Sequence, residues 1–392
     1  MDFRLIWLAL GSFAVGTGAF VIASLLPAIA GETGVSMSQA GTLVLSFAIA
    51  YAIGAPVLST LTGGVGRRPV LVGSILVFGL ANIAAGFSPN FEGLLLARIV
   101  MAAASGLFAS AAQGTAVTLS TPETRTRAIS VIVGGTTLSV ALGAPIGALI
   151  ANVMDWRSAF VAIGVVAVLV AIALRWMLPS NLPGTRLSLS ERIMVAFRPG
   201  IGSALLVTIF AISGSFTVFT YIASLSSEIG LSLVFMPLLL LAFGLGAAIG
   251  NYASGQLADK FGAGLTVRWV IILSSLTLLV FSAVAYFVPA PLAGWLLLAL
   301  MVPWGVIGWG FPPAQSSRLV SLAPEAAPIS LGLNASAVYV GVALGSLIGG
   351  ADMALASAKD LGWVGAIMGV VALAIHLYAT REPQRLSSVR LG

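Results

Sequence analysis

Residues 140–147 read VALGAPIG and residues 342–349 read VALGSLIG, six of eight positions alike at an offset of 202. Pro122-Glu123 recurs as Pro324-Glu325 at the same offset. Nearer the start of each half, Gly54, Leu61 and Gly66 stand 196 positions before Gly250, Leu257 and Gly262. With 45 glycines in the chain, any single glycine recurs by chance; two extended patterns in corresponding order do not. A unit of about half the chain has been duplicated, and repeats of this kind decide the fold before any local reading does.

The duplicated unit is apolar. Of 392 residues, 59% are hydrophobic and only 8% charged, against about 25% charged in soluble domains. So few charges cannot cover a water-facing surface, so most of the exterior faces lipid. A helix needs about 20 apolar residues to cross the hydrocarbon. On that rule residues 1–178 hold spans at 5–29, 39–61, 69–88, 92–118, 127–152 and 157–178. Residues 201–380 hold spans at 201–226, 233–256, 266–288, 291–315, 328–353 and 361–380. These runs are too long for the alternating strands of a barrel. The expected fold is an all-α membrane protein of twelve transmembrane helices in two six-helix, pseudo-symmetric bundles. Residues 179–200 (PSNLPGTRLSLSERIMVAFRPG) read as a cytoplasmic linker and 381–392 as a cytoplasmic tail.

Lys and Arg in short loops set orientation, because cytoplasmic loops carry the excess. With the N-terminus inside, fifteen of the eighteen fall on that side: Arg4, Arg67, Arg68, Arg125, Arg127, Arg175, Arg186, Arg192, Arg198, Lys260, Arg268, Arg318, Arg381, Arg385 and Arg390. Arg157 and Lys359 remain outside, and Arg98 lies within a span. Both termini are then cytoplasmic. The N-terminus imitates a secretory signal through Arg4 and Ala28-Ile29-Ala30, but its apolar run exceeds the about 7–15 residues of a signal core, so it reads as a retained helix. The net charge of +6 follows this topology and does not indicate nucleic acid. No cysteine and a single histidine, His376, exclude a disulfide framework and a cysteine or multi-histidine metal site. No cofactor is called for.

Parallel repeats related by an axis along the membrane normal place a solute site at their interface near mid-bilayer, and rocking of one bundle on the other gives alternating access. The motifs give this a family. The stretch 255-GQLADKFG-262 resembles the signature loop after the second helix of a half in the major facilitator superfamily. Its first-half counterpart 61-LTGGVGRR-68 keeps Gly66, Arg67 and Arg68 but has Gly63 in place of the family's Asp. Arg98, in LLLAR, is similar to the fourth-helix Arg motif, with Ala102 where Gly is usual. Gly143, Pro145 and Gly147 resemble the glycine–proline motif of antiporters, and Asp155-Trp156-Arg157-Ser158-Ala159-Phe160 the opening of the sixth helix. The opening GTGAFVIASLLPAIA resembles drug and sugar exporters of the arabinose-efflux and chloramphenicol-export type.

The resemblance implies a monomeric secondary transporter of the bacterial inner membrane that exports a small organic solute (drug-like, sugar-like or a metabolite) by proton antiport. Members of this type contribute to multidrug resistance. Two departures bear on the coupling: Ala19 stands where an acid precedes the first-helix Phe, and Ser105 where many members have a fourth-helix His. No carboxylate falls in the middle of a span, which leaves Asp352, at the end of the eleventh, as the candidate proton carrier. A facilitative or uptake carrier, or a solute exchanger without proton coupling, is the alternative. A membrane-embedded enzyme lacks a catalytic constellation here, and a non-transporting sensor would need a larger soluble output segment than the tail.

Candidate cavity residues are Thr17, Phe20, Tyr51, Arg98, Gln113, Phe216, Phe219, Tyr221, Asn251, Trp304, Trp309, Gln315, Asn334 and Tyr339. Aromatic rings with scattered amides suit an amphipathic, mostly neutral solute. Arg98 sits about 9 Å below the outer surface, a depth at which charge marks a pathway, a buried pair, or a side chain snorkelling outward. Gly143, Pro145 and Gly147 allow close helix approach and a bend. Asp259 and Lys260, beside Gly262, are placed to latch one conformation, with Arg318 a partner for Asp259. Gly244 to Gly250 lacks the spacing and preceding strand of a dinucleotide loop, Asn334-Ala335-Ser336 is a sequon inside a helix, and His376 reads as structural.

Overall fold

The computed structural model describes residues 2–121, 124–184 and 189–389. Pro122-Glu123, Arg186 and Arg390 lie outside the described residues, as do the side chains of Arg192, Arg381 and Arg385. The described chain is helical throughout and has no strand, the outcome lipid imposes when every backbone N–H and C=O must be satisfied within its own segment.

Among the described residues eleven helices are long and apolar enough to cross a membrane, and a bent pair taken as one span makes twelve. The first, α1, is a pair, Arg4–Phe20 and Ile22–Thr33, bent by 46°. There follow α2 (Met37–Leu61), α3 (Arg67–Gly86), α4 (Phe91–Thr118), α5 (Arg127–Val153) and α6 (Trp156–Met177). After a short linker helix, Leu189–Ala196, come α7 (Ile201–Phe219), α8 (Leu233–Phe261), α9 (Ala263–Phe287), α10 (Leu292–Leu322), α11 (Pro324–Leu355) and α12 (Ala358–Thr380). Local chemistry starts several of them. Ser36 and Gln39 form a reciprocal capping box on α2, while Asn90 and Asp155 cap α4 and α6.

Two expected single spans are broken, which corrects the sequence reading. The first kinks at Val21, and the seventh is interrupted at Thr220 and Tyr221 before resuming as Ile222–Glu228. The breaks fall at equivalent places in the two halves.

The repeated glycines have a common purpose. A Cβ on Gly135 would overlap the Ala9 carbonyl, one on Gly16 the Ser139 hydroxyl, one on Gly143 the Thr17 side chain and one on Gly147 that of Val21. The small residues 135, 139, 143 and 147 thus form a ridge at four-residue spacing that lets α5 lie against α1. In the second half Gly341, Gly345 and Gly349 lie as tightly against the carbonyls of Ile209, Ser213 and Thr217 on α7. The copies differ at Pro145. Lacking an N–H, Pro145 breaks the ladder, and Ser139–Gly143 before it becomes a π-turn. With Leu347 in the corresponding place, α11 stays α-helical.

The halves meet along α2–α11 and α5–α8, most tightly at the end away from the N-terminus. Ser346 Oγ donates to the Gly41 carbonyl at 2.9 Å, and Tyr221 fits against Gly41, Gly349 and Gly350. Asn152 Nδ2 donates to the Val234 carbonyl at 3.2 Å, and Gly244 lies against the backbone of Ala141. Leu80, Leu169, Ile172, Leu276 and Val370, on α3, α6, α9 and α12, are exposed. An apolar exterior of this kind suits lipid.

Candidate functional site

Between the halves lies a cavity of about 350 Å³, with walls from α1, α2, α4 and α5 on one side and α7, α8, α10 and α11 on the other. Its size falls in the range of small-molecule sites. Gln113, Val133 and Ala335 on its wall are exposed, so it opens toward the face carrying the N-terminus and linker helix and is shut at the other by the contacts just described.

Aromatic rings dominate the wall. Phe20, at the α1 kink, meets Trp309 at 5.8 Å, Phe219 at 6.0 Å and Phe216 at 6.4 Å between ring centroids. One side chain of the first half is thereby surrounded by three of the second. Trp304 packs on Phe243 at 4.9 Å and Phe219 at 6.2 Å. Tyr51 on α2 stacks on Tyr339 of α11 at 3.6 Å, again across the halves. Polar groups are few: Ser12, Gln113, Thr136, Thr137, Ser215 and the two tyrosines. No charged residue lines the cavity among the described residues.

Of the fourteen residues picked from sequence, the cavity wall gathers Phe20, Tyr51, Gln113, Phe216, Phe219, Trp304, Trp309 and Tyr339. The other six lie elsewhere. Thr17 donates to the Phe13 carbonyl and packs on Gly143. Tyr221 donates to the Ser346 carbonyl at 3.0 Å in the closed face. Gln315 Nε2 donates to the Ala204 carbonyl at 2.6 Å and to Thr208 Oγ1 at 3.0 Å. Thr208 Oγ1 in turn donates to Asn334 Oδ1 at 2.7 Å. Gln315 and Asn334 therefore join α7, α10 and α11, the usual fate of polar groups buried between membrane helices. Asn251 Nδ2 donates to Thr137 Oγ1 at 2.9 Å, beside a groove between α5 and α8.

Arg98 is fully buried, which corrects the snorkelling alternative. Its Nη1 donates to the Gly18 carbonyl at 2.8 Å and its Nε to the Leu43 carbonyl at 3.3 Å. The guanidinium lies 4.2 Å over the Phe47 ring, and Nη2 has no hydrogen-bond partner. Two backbone carbonyls and the ring face thus take the place of a carboxylate. The residue ties α4 to α1 just before its kink and to α2.

The signature loops behave differently from the latch expected of them. Asp259 and Lys260 are exposed, and among the described residues no ion pair joins Asp259 to Arg318. Arg318 is buried with Nη1 unpartnered. In the first half Arg67 N–H donates to the Leu182 carbonyl at 3.1 Å, and Arg68 Nη2 donates to the Arg175 carbonyl. A Cβ on Gly66 would press on the Leu182 carbonyl. This loop is docked on the C-terminal end of α6, where a cation is favoured. Gly262, at φ +90, ends α8 in a conformation side chains avoid.

Asp352 lies in the last turn of α11, at the closed face and outside the cavity, with Oδ2 buried and unpartnered. At the same face Arg157 Nη1 meets Glu32 Oε1 at 2.5 Å, and Trp156 Nε1 donates to Glu32 Oε2 at 2.6 Å. The Asp155–Phe160 segment thus fixes the end of α1.

Sequence reasoning missed Ser12, Thr136, Thr137, Ser215 and Phe243. Thr136 and Thr137 precede the Pro145 motif by two helical turns and were open to detection on that face. Phe243 and Ser215 carry no signal apart from their neighbours in space.

The Major Facilitator Superfamily model matches residues 8–346 and, separately, 204–390. The inner membrane transport protein YdhP of Escherichia coli (strain K12) is 30% identical over 392 residues, covering 98% of each chain. The uncharacterized MFS-type transporter YbcL of Bacillus subtilis (strain 168) is 27% identical over 385 residues, 97% of each chain. A probable sugar efflux transporter of Mannheimia succiniciproducens is 27% identical, covering 95% of this chain and 92% of its own. The crystal structure of a bacterial homologue of the human lysosomal transporter Spinster, inward-facing and occupied, superposes with a TM-score of 0.75 at 16% identity, over 96% of each chain. That likeness concerns the fold alone.

Proposed function

The chain belongs to the major facilitator superfamily, and on that premise we propose that it exports a small, uncharged, amphipathic organic solute across the bacterial cytoplasmic membrane by alternating access. The central cavity carries the proposal. Its aromatic wall and sparse hydroxyl and amide groups offer apolar area with a few fixed hydrogen bonds, and a charged solute would find no counter-ion there. The Lys and Arg distribution supports a cytoplasmic linker face, so the cavity faces the cytoplasm in this conformer. The printed name of the Mannheimia relative supports the outward direction.

Proton antiport is the coupling that the family resemblance supports, and Asp352 is the group we assign to it. Its half-buried carboxyl, with Oδ2 unpartnered, is the observation in favour. The uncharged cavity wall favours a second reading, solute exchange without protons.

An efflux-deficient bacterium expressing the chain, grown against a broad panel of toxic compounds, tests both. Resistance to one chemical class, lost in Trp309→Ala, is expected. An unchanged panel with confirmed membrane expression overturns export of toxic compounds, and raised sensitivity replaces export by uptake. Collapse of resistance by a protonophore and in Asp352→Asn is expected for antiport; resistance indifferent to both selects exchange.

A further inference from the structure

Beside the cavity, and apart from its axial mouth, lies a second groove. On the linker-face half of the molecule, α5 and α8 diverge around a groove of about 470 Å³, lined by Ile129, Val133, Leu138, Ala248, Asn251 and Tyr252 among others. Val133 and Thr137 belong to the groove and to the central cavity alike, so only one layer of side chains separates the two. The same helices touch nearer the closed face, where a Cβ on Gly244 would overlap the Ala141 backbone. They then splay until a Cβ on Gly134 would have nothing within 4 Å. The slot between them is crossed by a hydrogen bond, Asn251 Nδ2 to Thr137 Oγ1 at 2.9 Å.

Leu138 and Tyr252 at its rim are exposed. Groove and rim lie at the level of the first half of α5, within the membrane-crossing length of both helices. A cleft there with an apolar rim is bordered by acyl chains, since lipid surrounds whatever the protein does not cover.

We propose that the α5–α8 slot is a lateral portal through which amphipathic solutes dissolved in the adjoining leaflet reach the cavity, with the Asn251–Thr137 hydrogen bond as its cross-bar. The inference rests on the transport reading above and narrows its substrate class to molecules that partition into membrane. Such a solute lies at the headgroup–acyl boundary at far higher concentration than in water, beside the slot. The cross-bar is a neutral hydrogen bond, and a bond of that kind has a net worth of about 0.5–1.5 kcal/mol, small enough to open thermally and able to re-form behind a passing solute.

The absence of cysteine allows single-site labelling. A nitroxide on Gly134→Cys in proteoliposomes is compared with one on Gln113→Cys at the axial mouth, using oxygen as the lipid-soluble and a nickel chelate as the water-soluble relaxant. Oxygen is expected to dominate at 134 and the chelate at 113; a chelate-dominated signal at 134 overturns the portal. Gly134→Trp then fills the slot from its outer side and leaves every residue of the cavity wall unsubstituted. Among compounds the wild type exports, it should lose resistance to the membrane-partitioned ones and keep it to the water-soluble ones. Equal effects on both, or none, overturn the portal even where acyl chains occupy the groove. A wild type that exports nothing sinks the transport reading instead, while the relaxation data still judge whether the slot faces lipid.

Discussion

Arg98 shows how a charge survives inside a membrane helix without an acid beside it. Burying it unpaired would cost several kcal/mol, and two backbone carbonyls and the Phe47 face offset that cost. Arg98→Ala removes the charge but takes its donor from the Gly18 carbonyl at the break in α1; it should cost roughly 1–3 kcal/mol, read as a lower midpoint of thermal unfolding in detergent. Arg98→Lys, with one donor head in place of a planar fork, should fall between. An unchanged midpoint in the alanine variant would refute the anchoring role. Gly143 tests packing in the same way. Leucine there must displace Thr17, so Gly143→Leu should abolish transport, and Gly143→Ala combined with Thr17→Gly should restore part of it.

At the scale of elements, α5 and α11 are copies that differ in their backbone hydrogen bonding. Both use the four-residue ridge of small residues, yet only α5 carries the π-turn ahead of Pro145. A π-turn holds a looser set of hydrogen bonds and is a natural place for a helix to change its bend. Pro145→Ala restores the missing donor and should raise the thermal midpoint while slowing transport. A variant that gains stability with undiminished transport would show that the bend is not used. The α1 kink was not visible in the sequence. Residues 5–29 carry no charge and read as one run, and the interruption at Val21 becomes intelligible only once Arg98, far along the chain, is seen to take the carbonyl of Gly18.

At the scale of the molecule, the two halves touch chiefly at the face away from the linker, and the cavity is open at the other. On the proposed alternating access, rocking separates Asn152 from Val234 and Ser346 from Gly41 while closing the linker face. A disulfide between Asn152→Cys and Val234→Cys, formed by mild oxidant in the cysteine-free chain, should arrest transport, and reductant should restore it. Transport that continues through the oxidised pair would mean that these helix ends do not part. In the opposite conformer Asp259 and Arg318 have the chance to meet; a charge reversal at both positions should then retain more activity than either reversal alone.

Composition, the twelve apolar runs, the offsets of 196 and 202 and the signature residues of 61–68 and 255–262 determined the membrane, the duplication and the superfamily. Each is a property of residues near one another in the chain or repeated along it, and lipid enforces the result because it tolerates little else. Seven of the eight aromatic residues of the wall could be named in advance, because large rings in these helices must face either lipid or the seam between halves. What only the tertiary structure decided is which side of each helix faces that seam. Gln315, Asn334 and Asn251 have the same chemistry as Gln113, yet rotation about the helix axis and the position of one neighbour send the first two into the packing and Asn251 to the α5–α8 bridge. The kinks, the partners of Arg98 and the slot between α5 and α8 are likewise products of contacts between residues tens to hundreds of positions apart, which no local pattern records.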